Sequence, residues 1–413
     1  MASLRLMQKI SRAVEKNFSE QTSFASQLVR ENSENPFTPD QSSPKHAIEK
    51  GVGELLYERL RSFGFVPKRV GASKKRTNIV CYWGPRRFRK SLILNGNMDT
   101  APAGLGYTLD PHSGAIRDGK LYGVGAADMK STLSAYVYAL KALEDAGVKL
   151  DGRLILEFTV DEEPGGCSEF GTAYLLKQGI RARAAIIGKP GTHKISIGNR
   201  GGYRFKLTVF GEAIHTGRRA WERKEAGRNA IVDMAKIILS LEDMEIPFKP
   251  ARAFQGRSPV LTFPTKISGG LSVNSVPDRS VAYGDVRLMP GNSDKQVKIW
   301  IREKLSTIPG LRYELDDLLF VPAVEIDRKE EIVDILAKNS KNVLGVSPRI
   351  EGSGPWNDAW MLVTHDIPTI SGFGPDGDGS HGINEWVDLE SLKKVTEIYA
   401  LVIVDYLGIR EHS

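Results

Sequence analysis

Apolar residues follow two rhythms along the chain. In "TNIVCYW", "SLILNG", "RLILEFTV" and "RAAIIG" they form short unbroken runs, the pattern of strands covered on both faces. Between these runs lie stretches with helical spacing at 4–16, about 46–63, 130–146 and near 170–178, and the polar segment "NSENPFTPDQSSPKH" reads as a loop before the second helix. Strands alternating with helices predict a mostly parallel sheet with helices on both faces. After Gly198 the rhythm changes. "GYRFKLTVFG" alternates apolar and polar residues as a half-exposed strand does, followed by a helix at about 227–241, strands in "VLTFPTKISGG" and "RSVAYGDVRLMP", a helix at 294–305 and "RYELDDL". This is the pattern of an α+β module with an antiparallel sheet. From about Val321 the α/β rhythm resumes and ends in a helix at 389–407. The reading is therefore a discontinuous α/β domain, 1–197 with 316–413, and an inserted α+β domain, 198–315.

A length of 413 residues agrees with more than one core. The 57 basic and 50 acidic residues leave +7, spread along the chain, so nucleic-acid binding is not implied. The clusters "RRFRK" and "GRRAWERK" read as solvated faces, or else as a rim attracting acidic substrates. Two cysteines, Cys81 and Cys167, make neither a disulfide framework nor a thiolate metal site, which points to a reducing, cytoplasmic setting. No stretch approaches the roughly 20 apolar residues needed to cross a membrane. The amphipathic N-terminus lacks the apolar region of a signal peptide.

Strand ends carry the candidate chemistry, because open α/β sheets bind ligands outside the carboxyl ends of their strands. "NMDTAP" presents Asp99, "GVGAADMKS" presents Asp128 at the entrance to a helix, and "LILEFTVDEEPGG" sets Asp161, Glu162 and Glu163 after a buried strand. A bare acidic run is usually a solvated turn. Fixed to an apolar strand and followed by Pro-Gly-Gly, it suits one carboxylate binding a cation while its neighbour acts as general base. His381 lies in the glycine-rich loop "SGFGPDGDGSHGINEWV". Asp128, Glu163 and His381 together form a three-ligand set with room for water, the composition of catalytic zinc sites. "GVGAAD" imitates the start of a dinucleotide fingerprint, but no buried strand precedes it and the last glycine is missing.

The ordered motifs "NMDTAP", "GVGAADMKS", "TVDEEPGG", "GKPGT", "GEAIHTG", "NSVPDRS…DVRLMPG", "WNDA" and "GPDGDGSHGINEWV" resemble the co-catalytic zinc aminoacylase and carboxypeptidase family. That family includes acetylornithine deacetylase, succinyl-diaminopimelate desuccinylase and aminoacylase, and the resemblance covers about 22–408. It implies a mostly parallel-sheet metallopeptidase catalytic domain with an inserted α+β dimerisation, or lid, domain, working as a homodimer. It also implies two metals bridged by Asp128, with Glu162 as general base and Glu163 and His381 as ligands of one metal. Asp99 would orient that histidine. His215 would stabilise the oxyanion across the dimer interface, and Asn274 and Arg287 would contact substrate. The plainer alternatives are a strand-end surface histidine at 215, a surface ion pair at Arg287, and core packing for Trp356 and Trp360.

Two positions depart from the pattern, and both belong to the second metal: Asn97 stands for a histidine and Lys189 for a carboxylate. An amide oxygen binds zinc weakly and a protonated ammonium has no lone pair. The expectation is one divalent metal, zinc first, cobalt or manganese otherwise. Lys189 then stands in for the missing ion, unless it simply points to solvent. The activity so implied is a metal-dependent amidohydrolase cleaving an N-acyl amino acid or small peptide. The alternatives are non-hydrolytic amide or acyl-transfer chemistry with Lys189 as base or nucleophile, and an inactive family member acting as a binding protein.

Overall fold

The computed structural model describes residues 2–35, 48–163 and 169–410. The chain divides into two compact units. The first comprises Met1–Asn199, Glu325–Ser353 and Asn357–Ser413, and the second Arg200–Val324 with Gly354–Trp356. The strand Tyr313–Val321, which the sequence reading cut at 315/316, lies whole in the second unit because it pairs along Gly201–Phe210.

The first unit is built on a six-stranded sheet. Its order is Lys68–Ser73, Arg76–Trp83, Arg153–Thr159, Ser91–Asn97, Ala184–Ile187, Thr369–Ile370. The last four strands run parallel, while Arg76–Trp83 pairs antiparallel with both of its neighbours. Ser91–Asn97 is buried throughout, as a strand covered on both faces must be. Ile93, Val80, Ile155, Ala185 and Ile187 pack against the short helices Thr172–Lys177 and Ala359–Val363. The helices Leu4–Arg30, Ser131–Asp145 and Leu389–Leu407 pack on one another.

Two helices differ from their expected bounds. The first runs to Arg30 rather than stopping at 16, because its polar residues face inward to partners. Asn17 donates to Asp145, Gln21 to Thr396 and Ser26 to the carbonyl of Gly114. A buried polar group with a partner carries little of the desolvation penalty that an orphan would. The second spans Lys50–Ser62; the expected start at His46, most of the polar segment before it, Cys167 and the Pro-Gly-Gly after Glu163 lie outside the described residues.

The second unit is a four-stranded antiparallel sheet, ordered Val260–Gly269, Arg279–Leu288, Gly201–Phe210, Tyr313–Val321. Tyr203, Phe205, Leu207 and Val209 point to one face, where Met234, Ile237 and Leu241 of helix Ala230–Glu242 and Val297, Ile301 and Leu305 of helix Asp294–Ser306 cover them. Ser293 and Gln296 close a capping box on the second of these helices.

Candidate active site

Parallel pairing sets three chemical groups side by side. Asn97 ends its strand opposite Thr159, and Asn95 lies opposite Ile187. Glu162 follows Thr159 by three residues and Lys189 follows Ile187 by two, so both reach the same sheet edge as Asn97. Lys189 Nζ donates to Asp128 Oδ1 at 2.7 Å, Asn97 Oδ1 at 3.1 Å and Glu162 Oε2 at 3.4 Å. Its side chain is 16% exposed, which excludes the reading of Lys189 as a solvated surface residue. The Asn97 amide is oriented by a second bond, Nδ2 donating to the carbonyl of Asp99 at 2.9 Å.

Asp128, Glu163 and His381 converge beside this pair. His381 Nε2 lies 3.2 Å from Glu163 Oε2 and 3.8 Å from Asp128 Oδ2. One donor atom from each of the three falls within 4.8 Å of the others. Glu163 Oε1 is buried and makes no hydrogen bond among the described residues. Two carboxylates and an imidazole, one oxygen still unpartnered, fit a divalent cation. His381 and Asp161 both hold left-handed backbone, φ 57° and 63°, conformations that cost non-glycine residues roughly 1–2 kcal/mol each.

Three successive N–H groups of the acidic turn end on buried carboxylates. Asp161 N donates to Glu49 Oε1, Glu162 N to Asp99 Oδ1 and Glu163 N to Asp99 Oδ2. Asn35 bridges Asp99 and Asp161, each at 2.8 Å, and the fully buried Arg76 pairs with Glu49 and Asp161. Asp99 was expected to orient His381. Its oxygens instead accept from Asn35 and from the Glu162–Glu163 backbone, because the acidic turn folds back over the end of the neighbouring strand.

Burial sets the protonation chemistry. It pushes Glu162 up to about 8, against the pull of Lys189 and with the added repulsion of Asp358, Asp128 and Asp99. Burial likewise lifts Glu163 well above the usual carboxylate range. Lys189 loses solvation too, but Asp128, Glu162 and Glu163 outweigh that loss and hold its pKa well above the ordinary lysine value. Asp358, which accepts from Thr172 at 2.6 Å, is raised by burial to about 7.

Arg76, Glu49, Asn35, Asp358 and Glu385 were not singled out from sequence. Asp358 and Glu385 stand inside the quoted motifs "WNDA" and "GINEWV", which was the available signal. Arg76 and Asn35 carry no local signature, since their partners sit on other elements, the nearest 27 residues away.

The other candidate residues belong to the second unit. His215 and Asn274 sit on adjoining loops, joined by Thr216 N donating to Asn274 O. His215 Nδ1 accepts from Gly217 N, which leaves the neutral imidazole proton on Nε2, and the side chain is exposed. Asn274 Oδ1 accepts from Ser272, leaving its NH₂ as the available donor. Arg287 Nε binds Asp285 at 2.8 Å, and its guanidinium lies 4.1 Å from the centre of the Trp356 ring. The expected alternatives of an ion pair at Arg287 and packing at Trp356 thus describe real contacts. Trp360 packs against the core of the first unit.

The sequence profile of Peptidase family M20/M25/M40 matches residues 93–405. The chain belongs to this peptidase family. The resemblance drawn from the ordered motifs, and the metallo-amidohydrolase class it implied, are borne out. Succinyl-diaminopimelate desuccinylase of Cereibacter sphaeroides is 26% identical over 374 residues, covering 87% of this chain and 94% of the relative. N-formyl-4-amino-5-aminomethyl-2-methylpyrimidine deformylase of Bacillus subtilis is 28% identical over 348 residues, 76% of this chain and 79% of the relative. Among solved structures, the di-peptidase Dug1p of Saccharomyces cerevisiae aligns with a TM-score of 0.75 at 15% identity, over 97% of this chain and 98% of that one. The YXEP protein of Bacillus subtilis, described as a dinuclear metal-binding M20 peptidase, aligns with a TM-score of 0.65 at 16% identity, over 93% and 99%. At such identities these two likenesses support the α/β fold alone. None of the described helices is long and apolar enough to cross a membrane.

Proposed function

We propose that this family member hydrolyses the amide bond of an N-acyl amino acid or small peptide using one divalent cation and one ammonium where the family pattern has two metals. The observation that carries this reading is the position of Lys189 Nζ, 2.7 Å from Asp128 and 3.1 Å from Asn97. With all three ionised, Asp128, Glu162 and Glu163 against Lys189 sum to −2, a charge that one divalent cation would offset, drawing the raised Glu162 and Glu163 values back down so that Glu162 can act as a base. A cation held by Asp128, Glu163 and His381, zinc before cobalt or manganese, would supply Lewis-acid polarisation and make a water acidic. Glu162 takes the proton of the attacking water and delivers it to the departing amine nitrogen. The carbonyl oxygen gains negative charge as the water oxygen adds, and the Lys189 ammonium offsets it. The 3.4 Å contact to Glu162 is the longest of the three made by Lys189 and is released as Glu162 takes up the proton. To His215, Asn274 and Arg287, each with a donor that meets no partner among the described residues, we assign the substrate contacts that the resemblance implies.

The alternative of Lys189 as a neutral base or nucleophile is less well supported, because three carboxylates keep its proton in place. Metal analysis of protein purified without chelator separates the readings. About one ion per chain is expected; two would refute the ammonium substitution, and none would favour non-hydrolytic chemistry or a binding protein. In a hydrolysis assay Glu162→Gln is expected to lower kcat by roughly 100-fold or more, the usual weight of a general base.

A further inference from the structure

Two of the three cation ligands leave the same end of one strand pair. Trp386–Asp388 pairs antiparallel with Lys120–Tyr122, Trp386 opposite Tyr122. The chain therefore enters this pair from the His381 loop and leaves it toward Gly123, Gly125 and Asp128 at one place. Glu385 stands at that junction, 3% exposed. Its carboxylate does not reach out to a side chain. Oε2 accepts from Gly125 N at 2.8 Å, and Oε1 accepts from both Ala127 N and Asp128 N at 2.9 Å. Its carbonyl accepts from Gly123 N at 2.9 Å. Four N–H groups of the segment that delivers Asp128 thus end on a residue four positions after His381.

The local backbone requires this grip. Gly125 has φ 79°, and a Cβ there would sit 2.5 Å from Thr100 Cγ2, so the turn admits no side chain that could satisfy these donors from within. The Asp128 backbone is not helical either, at φ −118° and ψ 90°, so the N–H groups of the turn lack the regular helical ladder. The loop on the other side is held as well. Gly104 N donates to the carbonyl of Gly382, Thr108 donates to Asn384 Oδ1, and Glu385 N donates to the Tyr107 hydroxyl.

We propose that Glu385 is a positioning residue that fixes the separation of the Asp128 and His381 donor atoms, and so tunes cation affinity without touching the cation. The assignment rests on the reading of Asp128, Glu163 and His381 as ligands. Only a carboxylate presents acceptors to all three side-chain contacts at once. Glutamine would turn an NH₂ group toward one of these N–H donors, and the Asp128 carboxylate would shift away from its partners.

The test is titration of the full chain with Co²⁺ alone, followed by visible absorption, for wild type, Glu385→Gln and Glu157→Gln. Glu157 is an equally buried carboxylate that touches neither ligand loop. Glu385→Gln is expected to bind Co²⁺ roughly 10- to 100-fold more weakly, as loss of a partner behind a metal ligand does. Its absorption bands should change in protein that is still folded, and Glu157→Gln should match wild type in affinity and bands. Wild-type affinity and bands in folded Glu385→Gln would overturn the proposal. If that variant does not fold, Glu385→Asp, which withdraws the carboxylate by one methylene, is read by the same criterion. A wild-type chain that binds no Co²⁺ would instead overturn the cation reading itself, and this assignment with it.

Discussion

Asn95 on the central strand donates to both Glu157 and Thr172, and the Thr172 hydroxyl donates to Asp358, so two buried carboxyls are joined through neutral groups. Burial lifts Glu157 to about 7, and the Asn95 bond only partly opposes it. The folded chain then binds the Glu157 proton more tightly than the unfolded chain, whose value is near 4.5. That stability is fully present below pH 4.5 and is lost as the pH climbs through 7, a change on the order of 3 kcal/mol. Glu157→Gln removes this pH dependence. In urea titrations the stability of this variant relative to wild type is expected to rise between pH 5 and pH 8, and a constant difference would show that Glu157 does not titrate in this range. Asn97 and Lys189 belong to the same scale. The 3.1 Å bond between them is what supports the proposal that the two positions changed as one unit.

At the scale of elements, the acidic turn 161–163 is held, besides Asn35, by groups from three other segments. Glu49 precedes helix Lys50–Ser62, Arg76 opens the strand Arg76–Trp83, and Asp99 follows the strand Ser91–Asn97. Arg76 is 0% exposed and sits between Glu49 and Asp161, so truncating it would leave two buried carboxylates without their cation. Arg76→Met is expected to destabilise the first unit by about 3–5 kcal/mol in chemical denaturation. Arg76→Met combined with Glu49→Gln should recover part of that loss. A cost below about 1 kcal/mol would mean that the turn holds its shape without the arginine. Sequence rhythm could not have found this assembly, because periodicity reports which face of an element is buried and says nothing about which distant charge meets it.

At the scale of the molecule, the second unit presents apolar side chains to solvent beside its candidate substrate residues. Leu271 and Val273 are 97% and 104% exposed next to Asn274, and Leu239, Val232 and Ile231 are exposed on helix Ala230–Glu242. Strand Val260–Gly269 is an edge of its sheet and leaves backbone groups unpaired on one side. These features support the homodimer proposed from the resemblance, with a second copy covering this face. Light scattering is expected to give twice the chain mass for wild type and a single-chain mass for Leu271→Asp combined with Val273→Asp. A variant that remains dimeric would place the contact elsewhere. The basic runs "RRFRK" and "GRRAWERK" are mostly exposed, as solvated faces are.

Hydrophobic rhythm determined the alternating strands and helices, since burial on two faces leaves unbroken apolar runs and burial on one leaves spacing. The order of motifs determined the family and named Asp128, Glu162, Glu163, His381, Asn97 and Lys189, because ligand and base chemistry admits few residue types. Tertiary structure alone decided where the first helix ends, since its last half is anchored by polar bonds to residues far along the chain. It also decided that Asp99 serves the acidic turn rather than His381, and that Lys189 faces three acceptors instead of water. Those outcomes depend on which strand lies beside which, and parallel pairing joins segments that are distant in sequence. The register that sets Asn97 opposite Thr159 and Asn95 opposite Ile187 turns three separate motifs into one charged cluster.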